Sequence, residues 1–422
     1  MKSIVAKILG FLTRLTLLKH KPVIVGISGS VGKTSTKEAV ATVLGQRFSV
    51  RSTGGNYNNE FGLPLTVLNE SSPGKNPLGW AWVILMSCFK LVFGGYPQVL
   101  VLEMGADRPG DIAYLLKLTG PLDYAVVTDI GVSHLMNYSS PEELAKEKLT
   151  LARGVKPTGT AVLNLDNDVI SKFVKERKQP NLMTYGLDQE ADVAASELQM
   201  LTHNGVYGLQ FKIRHNGTLV PVMIPDALGR SNVYAALAAA SIGLKMGMNM
   251  VEISEAIGKY KPPAGRLKLI DGIKRTKIID DSYNAAPAST ILALEVLNQV
   301  AAGRKVAALG GMAELGAGND KGHREVAHKI QEVGVELVFL VGENARIIKD
   351  ELEARHYNGT VKWFESSDNA RIPVQNEIRE GDTILVKGSQ SARMEKIVKE
   401  VMFDAMQAEK LLVRQSEYWL TH

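Results

Sequence analysis

The segment Gly26-Ile-Ser-Gly-Ser-Val-Gly-Lys-Thr-Ser-Thr36 follows the apolar run Val23–Val25 and opens a helical pattern. A strand, a glycine-rich turn, a Lys-Thr pair and a helix together wrap backbone N–H groups around nucleotide phosphates. In such a loop Lys33 reaches the outer phosphates and the Thr34 hydroxyl ligates Mg²⁺. The sequence therefore predicts an ATP-binding loop. Its expected phosphate contacts are Gly29, Ser30, Gly32, Lys33, Thr34 and Ser35.

The composition of the 422 residues is ordinary for a globular protein, with 45% hydrophobic and 22% charged residues. The single cysteine, Cys88, excludes an internal disulfide and is typical of a reducing cytoplasm. The net charge of +5 is mild. The sequence has no basic block interleaved with aromatic residues, which is the pattern that would predict nucleic-acid binding. We expect a cytoplasmic, monomeric protein of two or three domains.

Two α/β units follow one another, separated by a predicted hinge at Lys261–Gly265, where two prolines and a glycine cannot continue a helix. In the first unit, residues 22–262, short β-rich runs alternate with helical patterns, which predicts a phosphate-loop ATPase domain with a mostly parallel sheet. Its strands are expected at Val23–Val25, Val99–Leu102, Tyr124–Thr128 and Thr160–Asn164, with an antiparallel patch over 184–224 and a helix over Ser231–Met246.

The second unit, residues 266–422, repeats the alternation and is predicted to be a Rossmann-like α/β domain. Its strands are expected at Lys277–Asp280, Lys305–Leu309, Leu337–Val341 and Thr383–Val386. Two α/β domains joined by a hinge are a common way to close around a nucleotide and a second substrate.

Residues 1–21 are predicted to form a basic amphipathic helix before the first unit. Lys7, Arg14 and Lys21 recur every seven residues on one stripe, and the apolar residues fall mostly on the other side. No small-residue cleavage site follows, so the segment is not typical of a signal peptide. Packing on the body of the protein and lying on a membrane surface are both open interpretations of this helix.

Three further residues have chemistry that suits a phosphate loop. Glu103 follows the apolar run Val99–Leu102, and the carboxyl end of a parallel strand is where a Mg²⁺ ligand belongs. His134 follows the strand predicted at Tyr124–Thr128, and Lys148 lies one helix further on. Taken alone, a histidine is more often structural and a helical lysine more often solvated, so both interpretations depend on the wider pattern.

That pattern is a series of motifs in fixed order from about residue 22 to residue 400. In the first unit and the hinge they are Gly29–Thr34, Gly55–Thr66, Glu103–Gly105, Gly131–His134, Ala145–Lys148 and Gly265–Arg266. In the second unit they are Asp280–Pro287, Gly310–Gly316 with His323, and Val386–Ser389. In these motifs the chain resembles the Mur ligases, the ATP-dependent amide-forming enzymes of peptidoglycan synthesis, and among them the branch that adds D-alanyl-D-alanine.

The resemblance implies roles in phosphate and metal chemistry for matched residues of the first unit. Lys33 and Thr34 are implied to hold phosphates and Mg²⁺, and Glu103 is implied to ligate Mg²⁺. His134 is implied to help place a second Mg²⁺ ion. Lys148 matches a lysine that the family carries as a carbamate. An ammonium cannot bind Mg²⁺, whereas addition of CO₂ turns the amine into a carboxylate-like oxygen ligand.

Further matches extend the implied site to the nucleotide and the substrates. Arg266 is implied to act on the ATP phosphates after domain closure. Asp281 matches a ribose-contacting position, Tyr283 and Asn284 are expected to border the nucleotide, and Asn232 is retained near the adenine. The residues expected on the substrate side are Asn56, Asn58 and Asn59 at the reacting centre, and Lys387 and Ser389 facing the incoming amine.

The implied function is an ADP-forming ligase that works through an acyl phosphate and adds D-alanyl-D-alanine to a muramoyl-peptide precursor. Some features depart from the family. About twenty residues precede the phosphate loop, so the usual N-terminal UDP-binding domain is expected to be missing; Ser231 and Ala235 replace polar residues, and Gln390 replaces an arginine. A Mur-like ligase for another amine or a lipid-linked acceptor is therefore an alternative, as is a non-catalytic ATP-binding subunit.

An apolar, tryptophan-containing insert over residues 75–96 is a further departure. Its core, residues 78–93, is interrupted by Lys90 and is shorter than the roughly 20 apolar residues that span a bilayer. Trp80 and Trp82 are residue types that favour a membrane interface. Either the insert and residues 1–21 bury each other, or the two segments form a peripheral membrane contact.

Overall fold

A computed structural model describes residues 2–55, 57–131, 137–176, 181–187, 190–203 and 206–421 of the chain. The strands are β1 (Val23–Ser28), β2 (Val50–Ser52), β3 (Val99–Glu103), β4 (Leu122–Val127), β5 (Val155–Asn164), β6 (Leu182–Gly186), β7 (Val193–His203), β8 (Val206–His215), β9 (Thr218–Pro225), β10 (Lys268–Asp271), β11 (Lys277–Asp281), β12 (Lys305–Gly310), β13 (Leu337–Val341), β14 (Thr360–Phe364) and β15 (Thr383–Lys387).

The helices are α1 (Lys2–His20), α2 (Lys33–Leu44), α3 (Gly62–Leu68), α4 (Pro77–Phe93), α5 (Asp111–Thr119), α6 (Pro141–Arg153), α7 (Asp168–Glu176), α8 (Arg230–Lys245), α9 (Met250–Ile257), α10 (Pro287–Val300), α11 (Asn319–Val333), α12 (Arg346–Ala354), α13 (Ser367–Glu377), α14 (Glu395–Val401), α15 (Ala408–Leu411) and α16 (Glu417–Thr421).

The first sheet has nine strands in the order β2-β3-β1-β4-β5-β6-β7-β8-β9. The pairs from β2 to β7 are parallel, and β7, β8 and β9 pair antiparallel. The predicted strands and the predicted antiparallel segment are confirmed, but the segment extends the main sheet and is not a separate patch. Asn216 and Gly217, with φ of 46° and 78°, form the left-handed turn between β8 and β9.

Apolar layers cover both faces of this sheet, as the alternating pattern predicted. On one face α2, α8 and α9 pack on the strands, and the alanines of the predicted helix at 231–246 are buried. Small side chains let α8 approach α2 closely, and a β-carbon at Gly243 would lie 3.2 Å from Val43. On the other face the buried layer includes α5 and α6.

The second sheet has six strands in the order β10-β11-β15-β12-β13-β14, all parallel except for the antiparallel pair of β10 and β11. Buried apolar clusters lie on both faces, so the predicted α/β architecture is confirmed for the second unit as well. Between the sheets, Gly265 has a φ of 66° and its N–H donates to the Asp280 carboxylate at 3.2 Å. This contact fixes the end of the predicted hinge to β11.

The predicted N-terminal helix exists as α1, and one side of it is buried against the first unit. Leu9 and Leu12 belong to an apolar cluster with Leu65 and Leu68 of α3 and Val83 of α4. The insert is therefore a helix, α4, that packs beside α1. The apolar side chains of the cluster attach both helices to the body of the protein because their burial removes them from water.

We predict that Leu9→Ala lowers the free energy of unfolding by about 2–5 kcal/mol, the usual cost of a large-to-small change in a core. Leu9 is fully buried, whereas Ile4 on the same helix is 64% exposed. Ile4→Ala is the matched control and should change stability by less than about 0.5 kcal/mol. Urea unfolding followed by circular dichroism measures both. Equal, small effects would mean that α1 does not pack on the domain in solution.

Candidate functional site

The phosphate loop connects β1 to α2 in a conformation that requires glycine at two positions. Gly29 and Gly32 have φ of 153° and 84°, and a β-carbon on Gly29 would lie 2.0 Å from the Thr128 hydroxyl. The loop is attached to the segment after β4, since the Ser30 N–H donates to the Asp129 carbonyl at 2.8 Å. No side chain of the described residues caps the N-terminus of α2. Its first N–H groups are thus available to an anion, as in other phosphate loops.

Oxygen donors suited to Mg²⁺ lie beside this loop. The Thr34 hydroxyl donates to the Glu103 carboxylate at 3.1 Å, and the Asn58 amide donates to the other carboxylate oxygen at 3.3 Å. Glu103 is buried at the end of β3. Mg²⁺ is usually held by one or two carboxylates together with phosphate oxygens and water. These residues suit that coordination, although no group of three or more His, Cys, Asp or Glu forms a metal cluster within the described ranges.

Two lysines carry buried amines close to this centre. Lys148 of α6 is 1% exposed, and burial lowers its pKa to about 7, with the nearby charge of Lys33 acting in the same direction. The carboxylates of Asp107 and Asp129 oppose this shift. Burial also lowers the pKa of Lys33, while Glu103 raises it. Burial therefore favours the neutral, nucleophilic form of the Lys148 amine more than water would.

A cavity of about 310 Å³ lies between the two α/β units, next to the phosphate loop. Its walls from the first unit include Gly32, Thr34, Ser35, Thr128, Asp129, Asn164, Arg230, Ser231 and Tyr234. Its walls from the second unit include Arg266, Leu267, Asp281, Ser289, Leu292, Glu295, Val296, Gln299 and Lys387. Its lining combines charged and polar side chains with the apolar side chains of Leu267, Leu292 and Val296. A phosphate loop beside apolar side chains suits a ligand that has both an anionic group and a planar base.

Arg266 lines this cavity from the second unit. Its guanidinium carbon lies 4.0 Å from the centre of the Tyr283 ring. Its buried Nε finds no hydrogen-bond partner among the described residues. A buried guanidinium N–H without an acceptor is costly, so an anionic group beside it would be stabilised. The structure brings Arg266 and the phosphate loop to one cavity, and the action of Arg266 on ATP phosphates stays a prediction.

Other predicted residues of the second unit are held mainly by the protein itself. The Lys387 ammonium donates to the Asp281 carboxylate at 2.6 Å and to the Asn284 carbonyl at 2.9 Å. The Ser389 hydroxyl donates to the Gly311 carbonyl at 2.7 Å. Lys387 therefore faces Asp281 in this arrangement, and the expected contact of its ammonium with an incoming amine stays a prediction.

Asn232 also differs from the expectation. Its side chain is buried, donates to the Leu228 carbonyl at 2.8 Å and accepts the Tyr260 hydroxyl at 3.0 Å. It therefore holds the core behind the cavity and is not one of the residues that line it.

On the substrate side, the Asn59 side chain accepts hydrogen bonds from the backbone N–H groups of Phe61 and Gly62 and so holds the turn before α3. The Asn58 side-chain amide donates a hydrogen bond to the Glu103 carboxylate. Asn56 and His134 lie outside the described residues.

Several site residues were not singled out from the sequence. Asp129 had a signal, because it follows a predicted strand end directly, as Glu103 does. Arg414 had none: it lies far along the chain, yet it donates to the Ser282 carbonyl at 3.1 Å and to Glu395 at 2.9 Å. These contacts attach the C-terminal segment to the loop that carries Tyr283.

The fold and the site define a phosphate-loop nucleotide-binding protein whose second α/β domain completes the nucleotide cavity. The family model for the Mur ligase middle domain matches residues 27–243, and the model described as Mur ligase, glutamate ligase domain matches residues 265–390. The chain belongs to the Mur ligase family, as its motifs predicted.

Individual relatives cover most of the chain. UDP-N-acetylmuramoyl-tripeptide–D-alanyl-D-alanine ligase from Bacillus subtilis (strain 168) is 30% identical over 381 residues, which are 90% of this chain and 76% of that enzyme. The crystal structure of MurF from Acinetobacter baumannii is 25% identical with a TM-score of 0.76, over 92% of this chain and 79% of that one. MurF ligase from Thermotoga maritima in complex with ADP shares the fold at 24% identity and a TM-score of 0.77, over 94% and 83%.

We predict that Arg266→Ala lowers turnover about 10²–10³-fold, the usual cost of losing a preorganised charge near a transition state. The effect on nucleotide affinity should be much smaller, because the phosphate loop belongs to the other domain. Isothermal titration with ADP and steady-state phosphate release separate the two quantities. Arg275→Ala, at an exposed arginine of the same domain, is the control and should change neither. Parallel losses of affinity and turnover in Arg266→Ala would identify a ground-state binder.

Proposed function

We propose that this chain is an ATP-dependent, ADP-forming ligase that joins D-alanyl-D-alanine to the peptide carboxylate of a muramoyl-peptide precursor in peptidoglycan synthesis. The observation that carries the proposal is the cavity in which the phosphate loop faces Arg266 and Asp281 of the second domain. The name of the relative from Bacillus subtilis states the same ligase reaction and supports the choice of substrates.

The nucleotide would lie along the cavity with its phosphates at the loop. Lys33 and the first N–H groups of α2 would hold the phosphates, and Arg266 would reach them from the second domain. Asp281, which lines the same cavity, would accept hydrogen bonds from a ribose. The base would lie toward Tyr234 and Leu292.

Two Mg²⁺ ions would complete the phosphate end of the site. Thr34 and Glu103 would hold the first, and His134 together with a modified Lys148 would hold the second. Bound there, Mg²⁺ supplies positive charge opposite the oxygens of the transferred phosphoryl group. The buried carboxylate and hydroxyl that already contact each other are the structural reason for this assignment.

The reaction would proceed in two steps. The substrate carboxylate attacks the γ-phosphorus of ATP, which forms an acyl phosphate and releases ADP. The amine then attacks the acyl carbon, and the tetrahedral adduct loses phosphate and a proton to give the amide. Lys33 and Arg266 would stabilise the negative charge on the transferring oxygens, which is the main requirement in phosphoryl transfer.

The substrate carboxylate would enter beside the loop that carries residues 57–59. Asn58 is the member of this loop that touches the Mg²⁺ side, through its amide contact with Glu103. The amine would approach from the carboxyl end of β15, which carries Lys387 and Ser389. Lys387 would act there through Asp281, which it holds in place by an ion pair.

Phosphate release measured over a matrix of acceptors and amines tests the function. The acceptors are UDP-linked and lipid-linked muropeptides, and the amines are D-alanyl-D-alanine, other dipeptides and amino acids. We expect turnover with a UDP-linked muropeptide and D-alanyl-D-alanine, reduced about 10²–10³-fold or more in Lys33→Ala. Turnover with a different amine or only with the lipid-linked acceptor would support the alternative ligase. ATP binding without turnover on any pair would indicate a non-catalytic subunit.

We also propose that Lys148 is carbamylated. Its neutral amine would add to CO₂, lose a proton and become a carbamate, and the extent of modification should rise as pH rises through about 7. ¹³C NMR of the protein in ¹³C-bicarbonate detects the carbamate without an activity assay. Lys148→Ala should be inactive and should regain part of its activity with short carboxylates that occupy the vacated position.

Lys146→Ala is the matched control for this prediction, because Lys146 lies on the same helix but is exposed. It should retain both the carbamate signal and activity. An unmodified wild-type protein, or an active Lys148→Ala variant, would contradict the assignment.

A further inference from the structure

The outer faces of α1 and α4 form an apolar surface that the described protein leaves uncovered. Ten of the twenty large hydrophobic side chains that are exposed in the described chain lie on these two helices, which are 19 and 17 residues long. They are Ile4, Ile8, Phe11, Leu18, Leu78, Trp82, Leu85, Phe89, Val92 and Phe93. Such a concentration is a patch and not the scattered exposure that any globular surface shows. We call it the α1/α4 surface.

The two helices do not cover this surface themselves. Their inner sides are already occupied, since Leu9 and Val83 pack on α3 in one buried cluster. At their C-terminal ends they are tied together, because the Lys19 ammonium donates to the carbonyls of Leu91 and Val92 at 2.5 and 3.0 Å. The helices therefore lie side by side with their remaining apolar faces outward. If the two segments only buried each other, this would explain the apolar residues on their inner faces. It would not explain the exposed apolar residues on their outer faces.

Charge on the two helices has a single sign. Neither the sequence of α1 nor that of α4 contains Asp or Glu, whereas α1 carries four lysines or arginines and α4 carries Lys90. Lys7 and Arg14 are exposed and, at helical spacing, form a stripe next to the apolar stripe of Ile4, Phe11 and Leu18. A basic stripe beside an apolar stripe favours binding to a surface that carries negative charge and has an apolar layer beneath it. It disfavours a second copy of the chain, because two such faces would repel each other.

We propose that the α1/α4 surface docks on a bilayer that contains anionic lipids, with both helices lying in the plane of the interface. Apolar side chains would enter the headgroup region, and the basic stripe would contact lipid phosphates. An aromatic side chain such as Trp82 is suited to that depth. No helix in the described chain is long and apolar enough to cross a bilayer, so the contact is peripheral.

One layer of buried apolar side chains separates the α1/α4 surface from the loop that contacts Glu103. Tyr57 and Phe61 pack against the buried cluster beneath α1 and α4, and they flank Asn58, which contacts Glu103. Docking would therefore place the substrate side of the cavity near the lipid surface. Docking through this surface does not depend on which acceptor the enzyme uses.

Vesicle co-sedimentation of the full chain tests the proposal. We expect binding to vesicles of phosphatidylcholine with phosphatidylglycerol at low salt, much weaker binding to phosphatidylcholine alone, and a blue shift of tryptophan emission on binding. Lys7→Glu combined with Arg14→Glu should reduce partitioning about tenfold or more, since each basic residue near an anionic surface contributes severalfold. Trp82→Ser combined with Phe89→Ser should abolish the binding.

Matched controls use an exposed phenylalanine and an exposed lysine elsewhere, Phe403→Ser and Lys399→Glu, which should bind vesicles like the wild type. All substituted side chains are exposed, and thermal unfolding checks that each variant folds. Negligible binding of the wild type to anionic vesicles would overturn the proposal. Equal binding by the Lys7→Glu, Arg14→Glu variant and the Lys399→Glu control would overturn it as well. Concentration-dependent self-association that hides the surface in the wild type and is lost in Trp82→Ser with Phe89→Ser would also overturn it, in favour of a second copy.

Discussion

The site depends on the position of β1 between β3 and β4 in a parallel sheet. This pairing places Ile27 beside Glu103 and Ser28 beside Val127, so three strands end at one edge. The phosphate loop follows the middle strand, and the residues after the outer strands contact it from both sides. Parallel strands deliver their carboxyl ends to one edge, which is why residues far apart in sequence meet there. Every later feature of the site is built on that edge.

Buried charge is the second constraint on the site. The amines of Lys33 and Lys148 lie within electrostatic range of each other and of the Asp129 carboxylate, and burial lowers the pKa of both amines. The carboxylates partly offset the burial of the two amines, but the pKa of Lys148 still falls to about 7. Such an arrangement is expensive to fold and is typical of sites that bind charged ligands. It is the physical reason to regard this edge as functional.

The second domain and the two outer helices extend the first domain in different directions. Arg266 reaches the cavity from the second domain, and the Lys387–Asp281 pair fixes the wall behind it. The α1/α4 surface lies on another side and is reached through Tyr57 and Phe61. The same loop, residues 57–61, thus contacts both Glu103, through Asn58, and the apolar layer under the exposed helices, through Tyr57 and Phe61.

The sequence by itself determined the phosphate loop, the alternation of strands and helices, and the family, because glycines, apolar periodicity and motif order are local properties. It also indicated Glu103, Lys148 and Arg266. Tertiary structure decided what each side chain faces: Lys387 pairs with Asp281, Asn232 holds Tyr260, and Arg414 attaches the C-terminal segment to the loop of Tyr283. It also decided which sides of α1 and α4 are buried. These outcomes depend on contacts between distant segments, and no local pattern in the chain encodes which segments meet.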